Sequence, residues 1–364
     1  MENRKVLVVA TSRKTRGGIT SVIKAHETGE QWKKYHCKWI ETHRDSNKIT
    51  KIIYAIKGAM LFMLYLPFYS IIHFHVSFQG SLTRKYYFSK IARATHKKII
   101  VHFHPPTPDV LFNPQNTHKY KELFSTADKV LVLSEEWKKL LYNQLGIKGN
   151  VDVLYNPCPQ INQVHVDNEK KDNRYILFAG TLIKRKGYQC LIKAFAQIAP
   201  SYPDWKLILA GNGELDSART LIKQYHIEKQ VKLTGWMEKE QIKELYKNAS
   251  IFCLASSGEG FPMAVLEAWA YGIPVITTLV GGLPDIVIER KNALTFDFDN
   301  NSQLSNQLSM LIQNTDLRNK LSQEGIQLAR QVFNIQIINN DGFGILQNND
   351  TLFYYKKQTV RKHL

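Results

Sequence analysis

Short apolar runs rich in Val, Ile and Leu punctuate the chain from end to end. In the first half they are Val6–Ala10, Ile71–Val76, Ile99–His104 and Val130–Leu133. In the second they are Tyr175–Ala179, Leu207–Ala210, Val231–Leu233, Ile251–Leu254 and Pro274–Thr277. Near-continuous apolar runs are the habit of strands buried on both faces of a parallel sheet. Helix-period patterns follow several of them, at Tyr188–Ile198, Leu215–Tyr225, Glu240–Asn248 and after Glu259. This βαβ alternation, occurring twice, predicts an α/β chain of two Rossmann-like, doubly wound parallel-sheet domains. A length of 364 residues suits two domains. Pro157, Pro159 and the charged run Glu169–Asp172 mark a linker. The expected parts are residues 1–157, a linker at 158–173, a second domain at 174–335 and a tail at 336–364 whose structure the pattern does not define.

One apolar stretch fits this scheme less simply. Gly58–Ile72 runs 15 residues between Lys57 and His73. A membrane span needs about 20, and Pro67 interrupts this one. Its end reads as the start of the next strand. It suits a buried helix leading into a core strand, or a helix dipping into a membrane interface, and periodicity does not separate the two.

Charge changes the picture. The net charge is +18, and it is uneven. Residues 1–150 hold 25 Lys and Arg against 10 Asp and Glu, or +15; residues 151–364 hold 24 against 21, or +3. No acidic residue lies between Lys48 and Lys98. The N-terminal half is therefore expected to meet something anionic. No zinc finger, basic zipper or ribonucleoprotein-type motif points to nucleic acid. Basic residues flanking an apolar stretch point instead to an anionic membrane surface and a lipid-phosphate substrate. The hydrophobic fraction of 44% excludes a disordered chain. Cys37, Cys158, Cys190 and Cys253 show no C-x-x-C spacing, which excludes a disulfide framework or Cys-based zinc site and fits a reducing cytosol. The N-terminus passes into a strand without a signal-peptide pattern. The expected location is cytoplasmic, peripheral on the inner face of the cell membrane.

Candidate chemistry gathers after the strands. Glu259 and Glu267 lie eight residues apart, Glu259 in the turn Gly258–Pro262 and Glu267 about two turns into the helix that Pro262 can start. A helix N-terminus suits phosphate. An isolated E-x7-E equally suits a Glu complementing the helix dipole and another on a solvated face. Lys184-Arg185-Lys186-Gly187 follows a strand and precedes a helix; it offers cations for phosphate or is a solvated basic turn. Gly17-Gly18 after the first strand allows close backbone approach, but is no G-x-G-x-x-G. The pairs His73/His75 and His102/His104 each share a strand face and could chelate zinc. No carboxylate pattern accompanies them, so no metal is expected. His104, last in its strand, is the one placed to bond ligand hydroxyls. Asp297-Phe298-Asp299 reads as a surface turn and Asx cap.

Taken in order, these pieces resemble the family 4 retaining glycosyltransferases of GT-B architecture, the glycosyl transferases group 1. The resemblance covers roughly residues 4–335. Its most specific part is Glu259-Gly260-Phe261-Pro262, then Glu267, Gly272, Pro274-Val275-Ile276 and Gly281-Gly282-Leu283-Pro284-Asp285. Gly17-Gly18, His104, Asn156-Pro157, Lys186-Gly187, Gly211-Asn212-Gly213 and Thr234-Gly235-Trp236 also match. It implies two domains facing across a cleft, and a retaining transfer of a hexose-type sugar from a UDP- or GDP-linked donor to an acceptor hydroxyl. The implied acceptor is a lipid-linked glycan, such as a polyprenyl-diphosphate-linked one, in capsule, exopolysaccharide or lipopolysaccharide assembly. No further cofactor or metal is implied. By position, Gly17 and Gly18 approach the donor diphosphate and Lys186 pairs with it. Glu267 holds the ribose hydroxyls, Glu259 those of the donor sugar, and the Gly260, Phe261 and Pro262 backbone lines the pocket. His104 contacts the transferred sugar. The chain departs at Thr181, where the family commonly has Arg, so Arg185 or Lys184 would supply that phosphate contact. It departs again after Phe333, where Gly342 and Gly344 predict a shortened or disrupted last helix and a loose basic tail. A nucleotide-sugar epimerase on the same scaffold, or a non-enzymatic polyanion-binding protein, are the alternative readings.

Overall fold

The uninterrupted apolar runs become central strands. The computed structural model describes residues 4–162 and 173–342. Its first six strands are β1 (Val6–Ala10), β2 (Lys38–Glu41), β3 (Ile71–Val76), β4 (Lys98–Phe103), β5 (Lys129–Val132) and β6 (Val151–Val153). They form a parallel sheet in the order β2-β1-β3-β4-β5-β6. The next six are β7 (Tyr175–Ala179), β8 (Lys206–Ala210), β9 (Val231–Gly235), β10 (Ile251–Leu254), β11 (Val275–Thr277) and β12 (Leu294–Thr295). They form a second parallel sheet, β12-β11-β10-β7-β8-β9. The α/β expectation therefore holds. The hydrophobic pattern did not reveal β2 and β6. Both are edge strands, paired on one side only, and they carry Lys38, Glu41 and Asp152 within their few residues.

The chain divides after Pro157, and Ile335–Gly342 rejoins the first unit. In open α/β sheets, ligands bind outside the carboxyl ends of strands where the strand order reverses. That point lies between β1 and β3 in the first unit and between β7 and β10 in the second.

Helices of the second unit bury their apolar face in the ordinary way. Tyr188–Ile198 buries seven residues, including Tyr188, Leu191 and Phe195. Met263–Ala270 is held by Trp269, whose indole N–H donates to the Asn292 carbonyl at 3.1 Å. Its ring is met by Gly325 of the helix Thr315–Val332, where any side chain would overlap the indole.

The first unit holds the exception. The apolar stretch is not one element: Gly58–Tyr65 completes a helix that starts at Lys48, Leu66–Phe68 is a 3-10 turn, and Ile71 opens β3. Asn47 caps the helix by accepting from the Thr50 N–H at 2.9 Å. Only Gly58 and Phe62 of its 18 residues are buried. Gly58 lies against the backbone of Glu41 and Thr42, and Phe62 stacks on Phe88 at 4.6 Å.

The last described helix, Ile335–Gly342, has eight residues and lies against the helices Gly18–Glu27 and Glu30–Lys34. The basic tail from 343 and most of the expected linker, 163–172, fall outside the described residues. The linker's first residues are packed: Pro159–Asn162 forms a 3-10 turn, with Cys158 and Ile161 buried. All four cysteines are free thiols.

Candidate functional site

Two loops leave the second sheet at its switch point. One follows β7 and contains the 3-10 turn Lys184–Lys186; the other follows β10 and leads to Pro262. Gly187 ends the first in the left-handed region (φ 68°), so close to the Ala255 carbonyl that no side chain fits. The Ser257 N–H donates to the Arg185 carbonyl at 2.8 Å, which ties the loops together.

This pinning brings Arg185 and Lys186 onto Glu259. The carboxylate is 8% exposed. Its Oε1 accepts from the Ser256 hydroxyl at 2.8 Å and pairs with Lys186 Nζ at 2.6 Å. Arg185 Nη1 stands 3.5 Å from Oε2 and also donates to the Gly258 carbonyl. A solvated turn therefore does not describe Arg185 and Lys186. Lys184 stays exposed. A charge pair in such a site interacts several times more strongly than one in bulk water, on the order of 4 kcal/mol against 1 before desolvation is charged against it.

Pro262 occupies the N-cap rather than the first helical turn, and the helix begins at Met263. Glu267 is thus its fifth residue, just over one turn in. Proline has no side-chain acceptor to cap the first turn, whose N–H groups carry the positive end of the helix dipole. The Gly282 N–H donates to the Gly260 carbonyl at 3.0 Å, and the Phe261 ring packs against Phe333.

Glu267 is half-buried, not on a fully solvated face. Gln160 donates to its Oε1 at 3.0 Å. Burial pushes its carboxyl up to about 7, against the opposite pull of Tyr246, Gln160 and Lys239. Gln160, Tyr246 and Ser256 were not foreseen. Gln160 lies 107 residues from Glu267, and no local signal links them.

In the first unit, Gly17 precedes the helix Gly18–Glu27 at φ 140°, with open space where a side chain would stand and no side-chain cap. The two histidine pairs merge into one group, because register places His75 opposite His102. The rings lie stacked or tilted against one another at 4.1–5.8 Å, and His75 Nδ1 meets His104 Nε2 at 3.0 Å. Burial pushes His73 and His104 down to about 3 and holds His75 and His102 well below their ordinary range. His104, at 8%, is the outermost of four buried rings. Ring nitrogens of His73, His75 and His102 lie within 4.8 Å of one another, a three-imidazole set without a carboxylate.

Lys85, which sequence reading passed over, is only 1% exposed. Its Nζ donates to Ser81 Oγ at 3.1 Å, and that oxygen also accepts from the N–H of Ser77, the residue after β3. Burial, then the neighbouring Arg84, holds its ammonium well below the usual lysine range. The Arg84 Nε is buried without a hydrogen-bond partner. His43, after β2, is lowered by burial and by Arg84, Lys85 and Lys51. Among the described residues no carboxylate pairs with Arg84 or Lys85, so basic groups collect at the carboxyl end of this sheet. Asp297 and Asp299 sit in an exposed turn, as expected, but the helix cap there is Asn300, which accepts from the Gln303 N–H at 3.0 Å.

Residues 160–328 match the family model described as Glycosyl transferases group 1. An uncharacterized glycosyltransferase of Haemophilus influenzae is 30% identical over 226 residues, covering 61% of this chain and 62% of that one. The amylovoran biosynthesis glycosyltransferase AmsD of Erwinia amylovora is 29% identical over 211 residues, covering 56% and 58%. The chain thus spans about three fifths of the length of these relatives. Among solved structures, Anabaena HepE in complex with UDP and glucose aligns with a TM-score of 0.73 at 20% identity, over 93% of this chain and 97% of that one. That likeness is one of fold, and it agrees with the GT-B construction of two parallel-sheet units.

Proposed function

We propose that the chain is a retaining glycosyltransferase that moves a hexose-type sugar from a nucleotide diphosphate sugar to an acceptor hydroxyl. The observation that carries this is the buried Glu259 carboxylate held by Lys186 and Arg185 at the switch point of the second sheet, beside a helix N-terminus without a side-chain cap. In transfer, the bond from the anomeric carbon to the diphosphate oxygen breaks and one to the acceptor oxygen forms. The acceptor proton is lost, and negative charge grows on the departing nucleoside diphosphate. Lys186, Arg185 and the helix N–H groups are placed to stabilise that charge, the role a divalent ion fills elsewhere. The reaction is accordingly proposed as metal-independent. Arg185, beside Glu259, is the residue that stands in for the family arginine at Thr181. Glu259 holds donor-sugar hydroxyls, Glu267 the ribose, and Gly17 and Gly18 offer backbone to the diphosphate. His104 bonds a ligand hydroxyl.

UDP is the favoured nucleotide, because HepE binds UDP and glucose on a like fold. AmsD, which acts in amylovoran biosynthesis, supports a place in surface-polysaccharide assembly. Lys85 and Arg84, with which no carboxylate pairs among the described residues, support an acceptor carrying phosphate, such as a polyprenyl-diphosphate-linked glycan. Glu259→Ala should abolish transfer from a UDP-sugar, in buffer containing EDTA, while thermal unfolding shows a folded chain. Undiminished transfer by this variant would sink the assignment. Conversion of the donor sugar to its epimer without acceptor would replace it with the epimerase reading.

A further inference from the structure

The helix Lys48–Tyr65 has a second apolar face, and that face points outward. Ile49, Ile52, Ile53, Ile56, Met60 and Met63 are each between 53% and 70% exposed. At 3.6 residues per turn these six fall within an arc of about 100°. Lys48 and Lys57, both exposed, border the arc on either side. The opposite face is fixed by Gly58 against Glu41 and Thr42, and by Phe62 on Phe88. Over Lys48–Phe68 the mean hydropathy reaches 1.6, yet only 17% of that window is buried. A soluble helix normally turns such a stripe inward, and so many apolar side chains in one exposed patch mark a contact surface.

We infer that this face docks the chain on an anionic lipid bilayer, with the helix lying in the plane of the interface. Charge selects the occupant. Lys48, Lys51 and Lys57 stand along the helix, and at its far end Lys38 sits over the Tyr65 ring at 3.9 Å while Lys97 donates to the Pro67 carbonyl at 3.3 Å. No carboxylate lies in the chain between Lys48 and Lys98; Lys51 pairs with Asp45 at 3.6 Å, which leaves Lys48 and Lys57 to border the apolar arc. A second copy would bring the same +15 half against itself, whereas anionic headgroups complement it. The helix does not span the bilayer, because its middle is clamped to the sheet edge and to the neighbouring helix Gly80–Ala94. An 18-residue helix lying flat gives a contact line of about 27 Å. Docking of this kind is independent of the transfer reading and would bring a lipid-borne acceptor to the unit that carries Lys85.

The test is flotation of the full chain with vesicles of phosphatidylglycerol or of phosphatidylcholine. The chain should float with the first and not the second, and less at 0.5 M salt. The double variant Ile56→Asp/Met60→Asp should lower the bound fraction at least tenfold, with circular dichroism and Tm unchanged because both side chains stand in solvent. Equal flotation of variant and parent, or equal binding to both lipids, would overturn the inference. So would a lipid-free dimer that the variant converts to monomer. UDP affinity, measured on the same preparations, should not change, so loss of docking is distinct from failure of the donor site.

Discussion

Lys186 and Lys85 are both drawn out of water at the carboxyl end of a parallel sheet, and they meet different company. Lys186 finds Glu259 at 2.6 Å, with Arg185 on the carboxylate's other oxygen. Lys85 finds the Ser81 hydroxyl at 3.1 Å and the like charge of Arg84. In the second unit one carboxylate already engages both cations, so an incoming diphosphate must share cations that are already positioned. In the first unit no carboxylate among the described residues pairs with Lys85 or Arg84, and an anion would relieve their repulsion. Opposite responses to the same substitution follow.

Lys186→Met should lower transfer about 10²–10³-fold, the usual loss when one donor to a developing anion is removed. It should also destabilise the second unit by about 3 kcal/mol, because Glu259 loses its closest partner in a site with little water. Lys85→Met should leave Tm unchanged or raise it, since an apolar chain of similar length replaces a buried cation without a carboxylate. It should raise the KM for a phosphate-bearing acceptor about tenfold and leave UDP affinity alone. Thermal melts and initial rates on the two variants check this. Equal destabilisation by both would erase the distinction between the sites.

The same contrast governs what the sequence revealed. Glu259, Lys186 and Glu267 stand in short segments next to apolar strands, so position relative to a strand end was enough to nominate them. The partial enclosure of Glu267 was not legible, because Gln160 reaches it from a segment that composition marks as linker. The histidine pairs were visible one strand at a time. Their fusion depends on the register of β3 against β4, a tertiary fact. Lys85 escaped notice because a lysine in a helical pattern ordinarily reads as solvated; only folding shows it to be enclosed. The stretch from Gly58 stayed ambiguous for a related reason: periodicity records that a face is apolar, not whether protein covers it.

Acid should separate the units. His73 and His104 ionise near 3 in the fold and near 6.5 when unfolded. Between those values the unfolded chain binds more protons, so stability falls as pH drops, by up to about 1.4 kcal/mol per pH unit for each histidine. Glu267 acts in the other direction. Its carboxyl stands near 7 in the fold against 4.5 unfolded, so the folded second unit gains protons, and stability, as pH falls through that window. Hydrogen exchange followed by peptide between pH 7.5 and 5 should therefore show protection falling around β3 and β4 and holding or rising around Met263–Ala270. Loss of protection at equal rates in both regions would contradict the burial of the histidines as the cause.

The smallest effect concerns the donor itself. If Glu267 accepts hydrogen bonds from ribose hydroxyls, only its ionised form binds well, and burial has left that form incomplete near neutrality. UDP affinity should then weaken as pH falls below about 7, approaching a limiting tenfold loss per pH unit. Glu267→Gln should bind UDP weakly at every pH, without this slope. The UDP phosphate also titrates near pH 6, so the comparison is the difference between the two proteins, not either profile alone. Calorimetric titration from pH 8 to 6 measures it. Parallel profiles would place the ribose elsewhere and leave Glu267 as a half-buried acid that braces Gln160 and the linker turn against the helix Met263–Ala270.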